Sequence, residues 1–390
     1  MLKKAQQIKD IVRISGGLWA SSILLDRAGI PILRLWPDIA VSFATLAEQT
    51  SAIFRAWGMP ESHVGIAVEH LLYADLHGID SHGCGQILGY YLDLTAGRLT
   101  PTPQIQTVRE TITTALVDGG GGFGCVAGNY AMRLAIAKCR ESGIGAVAVR
   151  NSNHYGAAGS YALMAARAGM LGVSMTSGPQ PAMVPTFGIQ AMLGTNPIAF
   201  AAPAGRNRPF LLDMATSTVP LGRLATAQRK GKSIPKGWAL DAQGRPVRNP
   251  GRAERLRRLT PLGSTREMGS HKGYGLAAMV EILSSVLSSR CYADEQAREY
   301  RPVGHFFLAL DPRPFRSEGA FADNMDALMD SLRATKPENP SCPVMVAGDP
   351  EWTASENRRH SGIPVSRSIV EDIRFVCTAC GAPFILDKKH

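Results

Sequence analysis

Between residues 41 and 76, apolar positions recur at three- and four-residue intervals, which predicts two helices. Ser42 precedes the first, which carries Leu46, Ile53, Phe54 and Trp57 and is closed by Gly58 and Pro60. Pro60-Glu61-Ser62 opens the second, whose stripe is Val64, Ala67, Val68, Leu71 and Leu72. A third helix is predicted from Gln86 to Ala96. The pattern then changes. Thr113–Asp118 is a short β-rich run, Ile144–Val149 and Leu171–Thr176 are buried-strand patterns, and Ala199–Ala202, Phe210–Asp213 and Phe306–Leu310 are further strands. Helical patterns alternate with them over 129–142, 160–168 and 275–289, and the tail returns to helix over 320–332 and 366–380. This alternation predicts an α/β layered domain joined to a helical unit.

Of the 390 residues, 45% are hydrophobic, enough for a real core and too many for a disordered chain. No apolar run approaches the roughly 20 residues needed to cross a bilayer, so no membrane association is expected. The stretch Ile14–Leu25 is interrupted by Ser and Gly and lacks a clear cleavage site, so no secretory leader is expected. Seven scattered cysteines argue for a reducing, cytoplasmic setting. Cys377 and Cys380 form a C-x-x-C without a second ligand pair. They read as two residues of a terminal helix, and no metal is expected.

Basic residues outnumber acids 42 to 32, and the segment Arg223–Lys272 alone holds thirteen against three. Its single aromatic, Trp238, and its Gly and Pro spacing read as a solvated basic loop or a patch that draws in an anionic cofactor or acid substrate. Nucleic-acid binding is not expected, because aromatic interleaving and a periodic basic face are missing.

Three constellations carry candidate chemistry. Gly119–Gly124 follows a strand and precedes a helix, as a dinucleotide fingerprint would. The next strand, however, ends in Arg150 where an acid would bind ribose, so the run reads instead as a flexible turn lining a cleft. In Asp80-Ser81-His82-Gly83, a histidine with a hydroxyl beside it sits in a glycine-flanked turn, suited to exchanging a proton at neutral pH. Spacing alone does not name the acid that would orient it. The polar turns Asn153–Gly156, Gly194–Pro197 and His271–Gly275 bring His, Lys and amide groups to loops, and Lys272 at a helix start could meet phosphate.

With these residues in view, the chain resembles the malate/L-lactate dehydrogenase family, which also includes ureidoglycolate and sulfolactate dehydrogenases and cyclic imine reductases. The motifs carrying the resemblance are ADLHGIDSHG (74–83), AVRNSNHYGAAGSYA (148–162), LGTNPIAFAAP (193–203), LLDMATS (211–217), KGWALDAQGRP (236–246), REMGSHKGYGLA (266–277), GHFFLALDP (304–312) and VAGDPEW (346–352). The resemblance implies a homodimer with a non-Rossmann α/β fold of the sulfolactate/malate dehydrogenase type. It would have a helical cap domain (39–110, rejoined by 313–390) and a larger nucleotide-binding domain (111–312), leaving 1–38 as an extension of unknown role.

By the same resemblance, Ser81, His82 and Asp213 match a charge relay, with His82 as the general acid/base oriented by Asp213. His154, Tyr155, Gly156, Ala157 and Ala158 match a nucleotide-contacting loop, and in the ureidoglycolate enzymes the matching His is instead the proton acceptor. Thr195, Asn196 and Lys272 are further cofactor-binding candidates. Many relatives carry an Arg four residues after the catalytic His, where this chain has Gln86; Gln86 is therefore the substrate-binding candidate, with Arg223 or Arg98 as alternative holders of a carboxylate. The implied reaction is hydride transfer between NAD or NADP and a small 2-oxo or 2-hydroxy acid, the basic segment favouring NADP. Reduction of a cyclic 2-imino acid and nucleotide binding without turnover are the alternatives.

Overall fold

Ser42 accepts a hydrogen bond from the Thr45 amide at 3.0 Å and so caps the first long helix, an arrangement worth about 1 kcal/mol. A computed structural model describes residues 38–229, 231–288, 302–317 and 319–386. The N-terminal extension and Cys291 lie outside the described residues. After β1 (Ile39–Val41) come α1 (Phe43–Ala56), α2 (Glu61–Leu76), a short 3-10 turn (Cys84–Gln86) and α3 (Ile87–Thr95). Two elements from the far end of the chain, β9 (Ile363–Val365) and α11 (Arg367–Cys380), join this group, and β9 pairs antiparallel with β1. One core cluster unites them: Leu46, Ile53, Phe54 and Leu72 with Val365, Ile373 and Val376. Cys377 and Cys380 lie in the last turn of α11, and the Cys377 thiol faces the Gln49 amide at 3.2 Å.

The sheet has seven strands in the order β2-β3-β4-β8-β5-β6-β7. They are β2 (Gln106–Glu110), β3 (Thr114–Asp118), β4 (Ile144–Ser152), β5 (Leu171–Thr176), β6 (Ile198–Ala202), β7 (Phe210–Met214) and β8 (Val303–Leu310). Only β3 and β4 run parallel, which is not the all-parallel sheet of a Rossmann fold. Two helices, α4 (Gly124–Ser142) and α5 (Gly159–Arg167), pack on the sheet through a second core cluster that includes Met132, Tyr155, Tyr161 and Phe307.

Several sequence expectations need adjustment. The glycine run is a bracket rather than a flexible lining. Gly120 and Gly121 have φ of 61° and 67°, the Gly119 and Gly121 amides donate to the Arg150 and Asn151 carbonyls, and Asn153 donates to the Gly121 and Gly122 carbonyls. Helix α4 begins at Gly124 and not at 129, because the chain leaves the bracket already wound. The Arg223–Lys272 segment is not simply loop. It contains α6 (Leu221–Arg229), α7 (Pro250–Leu256) and the start of α8 (Ser270–Glu281). A small cluster of its own, including Leu224, Ile234, Ala253 and Leu259, holds the first two. The C-terminal side adds α9 (Ala320–Arg333) and α10 (Asp349–Ser361).

Candidate active site

Beyond α2 the chain turns at Gly78, whose φ is 78°, and the amide of His82 closes on the Ile79 carbonyl at 2.9 Å. The turn is pinned on both flanks. Gln86 donates its side-chain amide to the Ser81 carbonyl at 2.5 Å, and Arg358 of α10 spans the Asp75 carbonyl and the Asp80 carboxylate. Within the turn, Ser81 Oγ and His82 Nδ1 are 2.8 Å apart. The first turn of α6 presses on this pair: a Cβ at Gly222 would meet Ser81 Cβ at 2.4 Å.

His154 approaches from the other side, at the end of β4, where the glycine bracket fixes Asn153. Its ring stacks on His82 with centroids 5.4 Å apart and planes 25° apart. Tyr90 Oη lies 2.9 Å from His154 Nδ1. Burial pushes the His82 imidazole down to about 4. His154 falls to about 3, through burial first and then the neighbouring His82 and His305. Both rings are therefore neutral at pH 7, each with one N–H, and two such neighbours take up at most one added proton between them. Burial also keeps the Tyr90 phenol protonated, so it can donate to Nδ1 and leave Nε2 as the donor nitrogen of His154.

Asp213 at the end of β7 bonds elsewhere than to His82. Its Oδ2 accepts the Gly159 amide at 2.7 Å, and among the described residues no hydrogen bond joins it to His82. The physical reason is local: α5 has no side-chain cap of its own, and a carboxylate from a neighbouring strand fills that role at the positive end of the helix. Burial raises the Asp213 carboxyl to about 6, with the Gly159 bond opposing.

The other candidates divide by what their side chains can reach. Tyr155 is buried in a stack with His305 and Tyr161 and faces Ser174. Its ring is core, and only its backbone borders the loop. Ala157 and Ala158 are buried and Gly156 turns at φ 81°. Asn196 is fully buried, donating to the Ala277 carbonyl and Glu281 of α8 and accepting from Gly178. It fastens the loop to α8. Thr195 is half-buried, and its carbonyl receives the Thr216 amide and hydroxyl. Lys272 is exposed in the first turn of α8, which no side chain caps, and forms no ion pair among the described residues. Gln86 is buried and occupied with the turn. Arg98 pairs with Asp93 at 2.6 Å, whereas Arg223, next to Gly222, is exposed and forms no ion pair among the described residues. Tyr90 is not marked by the sequence pattern, because it lies within the apolar helical run predicted from Gln86 to Ala96.

Comparison with known proteins gives matches that span most of the chain. The model of the family described as malate/L-lactate dehydrogenase matches residues 41–374. The chain is 40% identical over 328 residues to a malate dehydrogenase of Pyrococcus abyssi, covering 83% of this chain and 90% of that one. It is 33% identical over 333 residues to the L-sulfolactate dehydrogenase of Methanocaldococcus jannaschii, covering 84% and 94%. The crystal structure of a malate dehydrogenase from Entamoeba histolytica superposes with a TM-score of 0.85 at 33% identity, covering 89% of this chain and 99% of that one.

Proposed function

The chain belongs to the malate/L-lactate dehydrogenase family, and from that premise we propose that it is an oxidoreductase of small 2-oxo and 2-hydroxy acids in which His82 exchanges the substrate proton. A bound nicotinamide nucleotide supplies or accepts the hydride. The observation that carries the reading is the stacked pair His82–His154, each with Nδ1 engaged by a hydroxyl-bearing partner. With Nδ1 held by Ser81, Nε2 of His82 is the nitrogen left to give a proton to a developing alkoxide or to take one from a hydroxyl. Ser81 fixes the ring, while Asp213 holds the His154–Ala158 loop through Gly159. The neutral His82 is a ready base for oxidation. In reduction, an anionic substrate in the cleft favours its protonation.

The residues fit a dinucleotide without a Rossmann turn. The start of α5 already carries the Asp213 carboxylate, so the uncapped start of α8, with exposed Lys272, is the better place for phosphate. Thr195 and the backbone of Gly156–Ala158 border the same loops. The basic segment favours NADP over NAD. Arg223 is the group we assign to the substrate carboxylate, since Gln86 and Arg98 are engaged and Gly222 lies on Ser81. The same reading takes the enzyme to be a homodimer. The exposed apolar residues Met279 in α8 and Ile282, Val286 and Leu287 in the π-helical turn that continues it (Ile282–Val286, capped by Leu287) supply a surface that a second copy would cover.

The test is a panel of pyruvate, oxaloacetate and a cyclic imine with NADH and NADPH, read by loss of reduced-nicotinamide absorbance. His82→Ala is expected to lower kcat by about 10²–10⁴-fold with nucleotide affinity retained. Parent-like turnover in that variant, or no oxidation of either nucleotide by any substrate, refutes the reading.

A further inference from the structure

Asp75 sits where a carboxylate has little reason to be. It lies in the last turn of α2, at the negative end of the helix, where an anion is disfavoured. It is also only 4% exposed, and burying a carboxyl is costly unless it is well bonded. No cation bonds its carboxylate among the described residues, and Arg358 takes only its backbone carbonyl. Departures from local rules of this kind concentrate where function requires them.

What the carboxylate does touch is the far side of the His82 turn. Oδ2 accepts the Cys84 amide at 2.7 Å, and Oδ1 faces the Cys84 thiol at 3.6 Å. It occupies the space beside Gly83 so fully that a Cβ there would lie 1.9 Å from Oδ1. Gly83 is therefore needed less for its backbone angles than for the room it leaves. The turn is then held at three separate points: Asp75 behind Cys84, Gln86 beneath Ser81, and Arg358 across Asp80.

We propose that Asp75 is a positioning residue: its buried carboxylate, fitted into the notch left by Gly83, clamps the Cys84 amide and so fixes the height and tilt at which the turn presents His82 toward His154. The proposal rests on His82 being the proton-exchanging group. Burial lifts the Asp75 carboxyl to about 7 against the opposing Cys84 bonds. A neutral carboxyl still accepts through its carbonyl oxygen, so the clamp does not depend on charge.

The experiment is a mutant cycle on the full chain, with kcat, substrate KM, nucleotide Kd and Tm measured for each variant. Asp75→Ala is expected to lower kcat by about 10- to 100-fold, the scale of a misplacement near 1 Å, with nucleotide Kd unchanged. Asp75→Asn keeps an acceptor of the same shape and is expected to hold kcat within about threefold. Gly83→Ala is expected to be as damaging as Asp75→Ala, and the two together are expected to cost far less than the product of their separate effects, because removing the carboxylate makes room for the methyl. Should Asp75→Ala fail to fold, the Asn and Gly83 variants still decide. Parent-like kcat in Gly83→Ala, independent effects in the double variant, or loss in Asp75→Asn equal to that in Asp75→Ala each overturn the proposal. Placed in a His82→Ala background, Asp75→Ala is expected to add nothing. If His82→Ala alone keeps parent turnover, it is the reading of His82 that fails; if His82→Ala is crippled and Asp75→Ala is not, only the clamp fails.

Discussion

Replacing Asp213 by Asn separates what this carboxylate does for the fold from what its charge does for turnover. Its carboxyl is raised from 3.8 to about 6, chiefly by burial, with the Gly159 bond already counted against that rise. A displacement of that size puts about 3 kcal/mol, as an upper figure, between the charged and neutral forms in the native protein. At pH 8 the parent's carboxyl is charged in both folded and unfolded states, and only the folded state buries that charge. Asn has the neutral form's shape and can still accept the Gly159 amide, so Asp213→Asn is expected to be more stable at pH 8, by up to that amount. The difference shrinks with acid. Between pH 6 and 4 the native parent binds a proton that its unfolded chain does not, so the parent gains stability as pH falls. The advantage of the variant is therefore largest above pH 7 and fades toward pH 4. Denaturant unfolding followed by far-UV circular dichroism across that range reads the difference. Turnover is expected to stay within a few-fold of the parent in the same variant, since the Gly159 amide keeps its acceptor and no bond joins the side chain to His82 among the described residues. An Asn variant less stable than the parent at pH 8 would refute the reasoning and make the charged carboxylate a net structural cap.

Two further outcomes follow from the site. Tyr90→Phe removes the hydroxyl that sits 2.9 Å from His154 Nδ1 and frees the ring tautomer; kcat is expected to fall by about tenfold, a loss of roughly 1.4 kcal/mol, with Tm little changed, and steady-state kinetics beside a thermal melt check it. Arg223→Gln is expected to raise KM for a 2-oxo acid by about ten- to a hundredfold, the worth of a charge-assisted hydrogen bond, while kcat stays within a few-fold; an unchanged KM would move the carboxylate to another base.

Local pattern fixed much of this protein in advance. The spacing of Leu46, Ile53 and Phe54 marks α1 because a helix presents every third or fourth residue to one face, and that holds whatever the helix later packs against. The apolar runs at 144–149 and 171–176 mark strands for a different reason, since a strand inside the sheet is covered on both faces, and the Ser81–His82 turn is announced by its glycines. Other features are invisible to any short window. Strands β1 and β9 have three residues each and exist only because the two ends of the chain meet. Helices α6 and α7 look like basic loop until Leu224 and Ala253 find a shared cluster. Partner choice is the hardest of all. Asp213 goes to Gly159, Tyr90 to His154 and Asp75 to Cys84, across separations of 54, 64 and 9 residues. Periodicity reports which face of an element is buried. Which buried polar atom meets which is settled by packing, since each must find a partner among whatever neighbours the assembled layers bring within reach.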